Sequence, residues 1–178
     1  PTLAARAHKE NLPIVFEKAL KEAKTKIEKI DYIAVTKGPG LVIALWAGVN
    51  FAKELAKKYK KEIIPVNHIA GHIYSNFIEL KKEPKFPLLN IVVSGGHTEL
   101  VLMNKLNHFK IIGETRDDAA GEAFDKAAKL LNIGYPGGPI IATQAAKYDP
   151  LKAKRSLNLP RPMINSDNFE FSFSGLKT

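Results

Sequence analysis

Between Leu12 and Ile30 the apolar residues Leu12, Phe16, Ala19, Ala23, Ile27 and Ile30 step by three and four, which predicts an amphipathic helix. Tyr32 to Thr36 then reads as a short buried strand. Gly38-Pro39-Gly40 breaks the chain, and Leu41 to Tyr59 returns to helical spacing through Leu45, Val49, Ala52 and Ala56. Glu62 to Val66 adds a strand. From His68 to about Leu80 the pattern is helical again, with Ile69, Ile73 and Phe77 as the inner stripe. Lys81 to Pro87 is charged and proline-broken and predicts a subdomain boundary, dividing the chain into residues 1–86 and 87–178. Leu88 to Ser94 and Thr98 to Asn104 form the arms of a hairpin around Gly95-Gly96, and Phe109 to Glu114 extends it. A helix follows to Leu131, with Phe124, Ala127, Ala128 and Leu131 inward. After the rigid turn Tyr135 to Pro139, Ile140 to Tyr148 is a further helix. Asp149 to Asn168 is a polar, exposed connection, and the alternation of Phe169 to Gly175 predicts a half-buried closing strand.

Composition narrows the class. With 178 residues and 45% hydrophobic content the chain can build a globular core. Its apolar runs are far shorter than the roughly 20 residues of a membrane helix, and no signal-peptide layout opens the sequence. The absence of cysteine excludes disulfides, thiolate metal sites and a cysteine nucleophile, and fits a cytoplasmic setting. The net charge of +9 is uneven: residues 1–61 hold 13 Lys and Arg against 6 Asp and Glu, and residues 62–178 hold 14 against 12. This basic first third is either a polyanion-binding surface or a solvated lysine face.

Two stretches carry candidate chemistry. On a helix, His68 and His72 fall one turn apart on one face, where two imidazoles can grip one metal ion or make structural hydrogen bonds. Ile69 stands where the zinc-peptidase pattern H-E-x-x-H has its glutamate, so that hydrolytic route lacks its base. Two protein ligands do not close a site, and no third stands out nearby. Ser94-Gly95-Gly96 either cradles a phosphate with backbone N–H groups or is a tight hairpin turn. Asp117, Asp118, Glu122 and Asp125 form an acidic group that either favours a helix N-terminus or, through Glu122 and Asp125, reaches a ribose or a metal-bound water.

Taken together, Thr36 to Leu41, Asn67 to His72, Val93 to Thr98, Asp117 to Lys126, Tyr135 to Pro139 and Phe171 to Thr178 resemble, in order, the motifs of one family. It is that of the tRNA threonylcarbamoyladenosine transferases, the TsaD family, formerly known as O-sialoglycoprotein endopeptidases. The resemblance implies the actin-like ATPase α/β fold, with two similar subdomains and a ligand cleft between them. It implies transfer of a threonylcarbamoyl group from threonylcarbamoyl-adenylate to N6 of the adenosine 3′ of the anticodon in tRNAs reading A-starting codons. Its metal ligands match His68 and His72, for one divalent ion that imidazole chemistry leaves as iron or zinc. Its substrate hairpin matches Val92, Val93, Ser94, Gly95 and Gly96, and further adenylate contacts match Asp125 and Gly138. An adenine nucleotide, tRNA and helper subunits, including a paralogous partner of the same fold, are the implied ligands and partners. No residue is singled out as catalytic. Typical members begin earlier and continue past Thr178 to an aspartate that is the third metal ligand, so the chain reads as a piece inactive by itself. A non-catalytic partner subunit and a metallopeptidase are the alternatives.

Overall fold

The computed structural model describes residues 2–148 and 158–177, so much of the connection expected from Asp149 onward lies outside the described residues. The chain divides into two compact units, Pro1–Lys81 and Lys82–Thr178. The division lies inside the charged, proline-broken segment.

In the first unit α1 (Thr2–Glu22) packs on α2 (Val42–Tyr59), with Phe16 and Phe51 edge to face at 5.9 Å. The helix expected from Leu12 begins ten residues earlier. Its first turns hold alanines and an Arg6–Glu10 pair at 3.0 Å, so they are helical without a strong apolar stripe. It also ends earlier than expected. Lys24 takes a left-handed φ of 49° and Ile27–Lys29 form a 3₁₀ turn, burying Ile27. The strand β1 (Tyr32–Gly38) pairs in parallel with β2 (Glu62–Asn67), α2 being the crossover, from Tyr32 opposite Glu62 to Thr36 opposite Val66. Between β1 and α2, Gly40 holds a φ of 150°, open to glycine and strained for other residues.

α3 (His68–Ser75) follows β2 directly because Asn67 caps it, its Oδ1 accepting from the amides of Ile69 at 2.8 Å and Ala70 at 3.1 Å. The helix stops well short of Leu80. Ser75 Oγ donates to the His72 carbonyl and Asn76 Nδ2 to that of Ile73, diverting the acceptors that would continue it. Ile73 is fully buried.

In the second unit β3 (Leu88–Val93), β4 (Thr98–Lys105) and β5 (His108–Glu114) make an antiparallel sheet in the order β3-β4-β5. Val101 and Met103 of β4 are its most buried side chains. α4 (Ala120–Leu130) packs on α5 (Gly137–Ala145). The inner face of α4 is Ala123 and Ala128, whereas Phe124 and Leu131, expected inside, are 47% and 66% exposed. The reason is the partner helix: a Cβ on Gly137 would lie 2.4 Å from the Phe124 carbonyl, so the helices meet through small residues with no room for an aromatic ring. The closing strand does not form either. Phe171 makes one isolated bridge to Thr115, and Ser174–Lys177 turn into a 3₁₀ helix. Asp117 draws the chain out of an extended path, its Oδ1 accepting from the amides of Phe173 and Ser174 and its Oδ2 from the Ser172 hydroxyl.

Candidate functional site

Each unit carries one candidate site. In the first, the Asn67 cap sets His68 at the start of α3 and His72 one turn on, and their Nε2 atoms lie 3.1 Å apart. Two nitrogens each about 2.0–2.1 Å from one zinc ion stand roughly 3 Å apart, and two neutral tautomers sharing a hydrogen bond do the same. His72 is exposed and His68 half-buried, so both Nε2 atoms can be reached. Among the described residues no group of three or more His, Asp or Glu is arranged to hold a metal ion. The pair is therefore an open, two-donor arrangement.

In the second unit the hairpin turn is built by Ser94. Its amide donates to the His97 carbonyl at 2.8 Å, and its Oγ accepts from the amides of Gly96 and His97. The turn thus engages the Gly96 and His97 amides itself, and its glycines have another meaning. Neither Gly95 nor Gly96 has a left-handed φ, and a Cβ on either would meet nothing within 4 Å. Neither backbone strain nor packing demands glycine there. What the missing side chains provide is an unobstructed approach to the turn. Val92 is buried under the sheet and Val93 is 60% exposed on its other face, so these two neighbours share a backbone run but not a side-chain environment.

Behind the turn sits the N-terminal end of α4. The Gly121 amide donates to the Ser94 carbonyl at 3.2 Å, and a Cβ on Gly121 would lie 2.6 Å from that oxygen and 2.8 Å from Gly95 Cα. Thr98 Oγ1 accepts from the Ala120 amide at 2.9 Å. One turn further along α4, Asp125 Oδ1 accepts from the Gly137 amide at 2.7 Å and so caps the start of α5. Gly138 follows, with open space where its Cβ would be. The turn, Asp125 and Gly138 therefore belong to one framework of two helix starts and a hairpin. Gly137, read from the sequence as a shape residue, and Gly121 hold it together, and only their contacts distinguish them from the open glycines.

The acidic group separates in the structure. Glu122 and Asp118 both engage Lys126, which pushes the Lys126 pKa well above its ordinary value, first through the Asp118 hydrogen bond and then through that of Glu122. Asp125 turns away to Gly137, so Glu122 and Asp125 do not act together. Asp117 holds the 172–174 segment. Its slight burial pulls its pKa upward, but the Ser172 hydroxyl and the amides of Phe173 and Ser174 outweigh this and hold it below the ordinary 3.8.

The hairpin open at its glycines stands beside two helix starts in the second unit, and the helical histidine pair belongs to the first. The family model described as TsaD, tRNA N6-adenosine threonylcarbamoyltransferase, matches residues 1–178, and the chain belongs to that family. It is 53% identical over 178 residues to the tRNA N6-adenosine threonylcarbamoyltransferase of Bacillus cereus (strain ATCC 10987 / NRS 248), and 52% identical over the same length to that of Staphylococcus epidermidis (strain ATCC 35984). All of this chain and 50% of each relative are covered, so the chain spans about half the length of the curated relatives it matches. Among solved structures it is similar to YeaZ from Pseudomonas aeruginosa, with a TM-score of 0.41 and 16% identity, over 65% of this chain and 55% of that one. Family membership assigns the mixed α/β architecture to the actin-like class. No helix among the described residues is long and apolar enough to cross a membrane.

Proposed function

We propose that the protein to which this chain belongs transfers a threonylcarbamoyl group from threonylcarbamoyl-adenylate to N6 of the adenosine 3′ of the anticodon in tRNAs reading A-starting codons. The observation that carries this reading is the family match over residues 1–178, with relatives named for that reaction at 52–53% identity. In the transfer, adenosine N6 forms a bond to the carbamoyl carbon, the carbon–oxygen bond to the adenylate phosphate breaks, and N6 gives up a proton. The Ser94 to Gly96 turn admits the adenylate because nothing projects from Gly95 or Gly96. Asp125 and Gly138 border the same framework, Asp125 with one carboxylate oxygen on the Gly137 amide and the other able to take a hydroxyl.

His68 and His72 supply two of the donors for one divalent ion, iron or zinc, their Nε2 separation of 3.1 Å fitting that use, and a further ligand completes the set. Such an ion, when bound, polarises a donor oxygen and orients the acyl group. Helper subunits, among them a paralogue of the same fold, and tRNA complete the assembly, which works in the cytoplasm. The test is a full-length protein containing this chain, supplied with threonine, bicarbonate, ATP, the adenylate-forming enzyme and the helper subunits. Unmodified A-decoding tRNA should gain threonylcarbamoyladenosine. A tRNA that stays unmodified overturns the proposal.

A further inference from the structure

Of the amides in the hairpin turn of the second unit, those of Ser94, Gly96 and His97 are engaged inside the turn. The Gly95 amide makes no hydrogen bond among the described residues, so it is the donor that the turn keeps for a ligand. Gly121 of α4 lies directly against it, a Cβ there falling 2.9 Å from the Gly95 nitrogen. Yet the chain around Gly121 is acidic, with Asp117, Asp118, Glu122 and Asp125 close together in sequence. Carboxylates are drawn to a helix start for the same reason as an external anion, so the two compete for one positive end.

The structure handles the four charges in two ways. Asp117 and Asp125 are engaged by neutral donors, the first by Ser172 and the amides of Phe173 and Ser174, the second by the Gly137 amide. Asp118 and Glu122, the two that flank Gly121 most closely, share one cation instead. Lys126 Nζ lies 2.5 Å from Asp118 Oδ1 and 2.7 Å from Glu122 Oε1. Only 11% of the Asp118 side chain is exposed, so its charge is poorly screened by water and is felt at a distance. Lys126 therefore governs how negative the ground behind the turn is.

Resting on the function proposed above, we infer that Lys126 is a positioning residue for the anionic group received at the turn. It does not touch that group. It holds Asp118 and Glu122 to itself and cancels one of their two charges, so that the Gly95 amide can donate to a phosphate oxygen without two uncompensated carboxylates behind it.

The experiment measures Kd for AMP and for adenosine by calorimetry on the full-length protein containing this chain, because their ratio separates the anion from the shape of the site. Counting Asp118, Glu122 and Lys126, the local charge is one negative in the wild type and two in Lys126→Met. It is one again in Lys126→Met combined with Glu122→Gln, and none in Glu122→Gln alone. The wild type should prefer AMP by about tenfold or more. Lys126→Met should cut that preference by about tenfold, the double variant should return most of it, and Glu122→Gln should raise it by about two- to threefold. Lys126→Arg should stay within about twofold of the wild type. In the reconstituted transfer reaction, Lys126→Met should raise KM for threonylcarbamoyl-adenylate and leave kcat largely unchanged. Glu122 has 45% of its side chain exposed, so Glu122→Gln does not threaten the fold and tests the charge even where Lys126→Met loosens α4. Equal losses on AMP and adenosine in Lys126→Met, with the double variant no better, would make the lysine a mere fastening of α4 and overturn the inference. An AMP preference that Glu122→Gln leaves unmoved overturns it as well. Neither result touches the proposed function, which fails separately if the wild type leaves tRNA unmodified.

Discussion

Glycines that look alike in the sequence separate sharply at the residue scale. Gly95→Val points a side chain into open space, so stability should change by no more than about 0.5 kcal/mol, whereas the approach to the turn is blocked. Gly121→Ala drives a Cβ into the Ser94 carbonyl and should destabilise by about 1–3 kcal/mol. Denaturant unfolding beside calorimetry with an adenine nucleotide checks both. A large stability loss in Gly95→Val, with nucleotide binding untouched, would make the turn purely architectural. Asp125 allows a similar separation. Asp125→Asn keeps an oxygen for the Gly137 amide, while Asp125→Ala removes that cap and should cost about 1 kcal/mol of stability. Asp117 adds a pH dependence. Its folded pKa is depressed below the ordinary 3.8, so its stabilising contribution is present above that value and is lost as pH falls through the folded one. In Asp117→Asn the acid limb of the stability profile should be shallower below pH 3.8 than in the wild type.

For whole elements, legibility in the sequence followed from how each one is stabilised. β1, α2, β2 and the three strands of the hairpin sheet lie within a few residues of where hydrophobic periodicity sets them, because burial of one face is what makes them form. α1 was legible only in part, since its first turns rest on alanine propensity and an ion pair and bury little. The segment from Phe169 failed for a different reason. Its alternation is real, but backbone bonds to Asp117, 55 or so residues earlier, take the place of a strand partner, and no local pattern encodes so distant a contact. Of the candidate sites, the histidine spacing was readable because it depends on helix geometry alone. The partition of Asp125 to Gly137 and of Glu122 to Lys126 was not, because it depends on where α5 packs. Asn67 tests the histidine element directly. Asn67→Ala removes the acceptor for two amides and should cost about 1 kcal/mol, and with α3 fraying at His68 the affinity for zinc or iron should fall together with helix protection in hydrogen exchange. Unaltered metal affinity with lost protection would mean that the two imidazoles need no helix to converge.

For the whole molecule, the charge asymmetry bears on how a polyanion is received. The basic excess of the first 61 residues includes Lys53, Lys57, Lys58, Lys60 and Lys61, around the second half of α2, but the structure does not treat these five alike. Lys61 Nζ donates to the Glu28 carbonyl at 2.8 Å and ties the end of α2 to the 3₁₀ turn. Lys53 lies 5.5 Å from the Trp46 ring centre and Lys58 5.1 Å from that of Tyr59, contacts that direct each amine along its own helix. Lys57, in the last turn of α2, and Lys60, exposed at its left-handed cap with a φ of 53°, are the two whose charge has no such structural use here. A blanket neutralisation would therefore confound loss of RNA binding with loss of stability. The informative comparison is Lys57→Gln with Lys60→Gln against Lys61→Gln alone. If this face meets tRNA phosphates, the double variant should keep its unfolding midpoint while the slope of log affinity against log salt falls by about 1 to 2. Lys61→Gln should instead lower the midpoint, the loss being on the order of 1 kcal/mol for one hydrogen bond from a charged donor at the surface. A salt slope that is the same in all three proteins would show that the lysine face is only solvated.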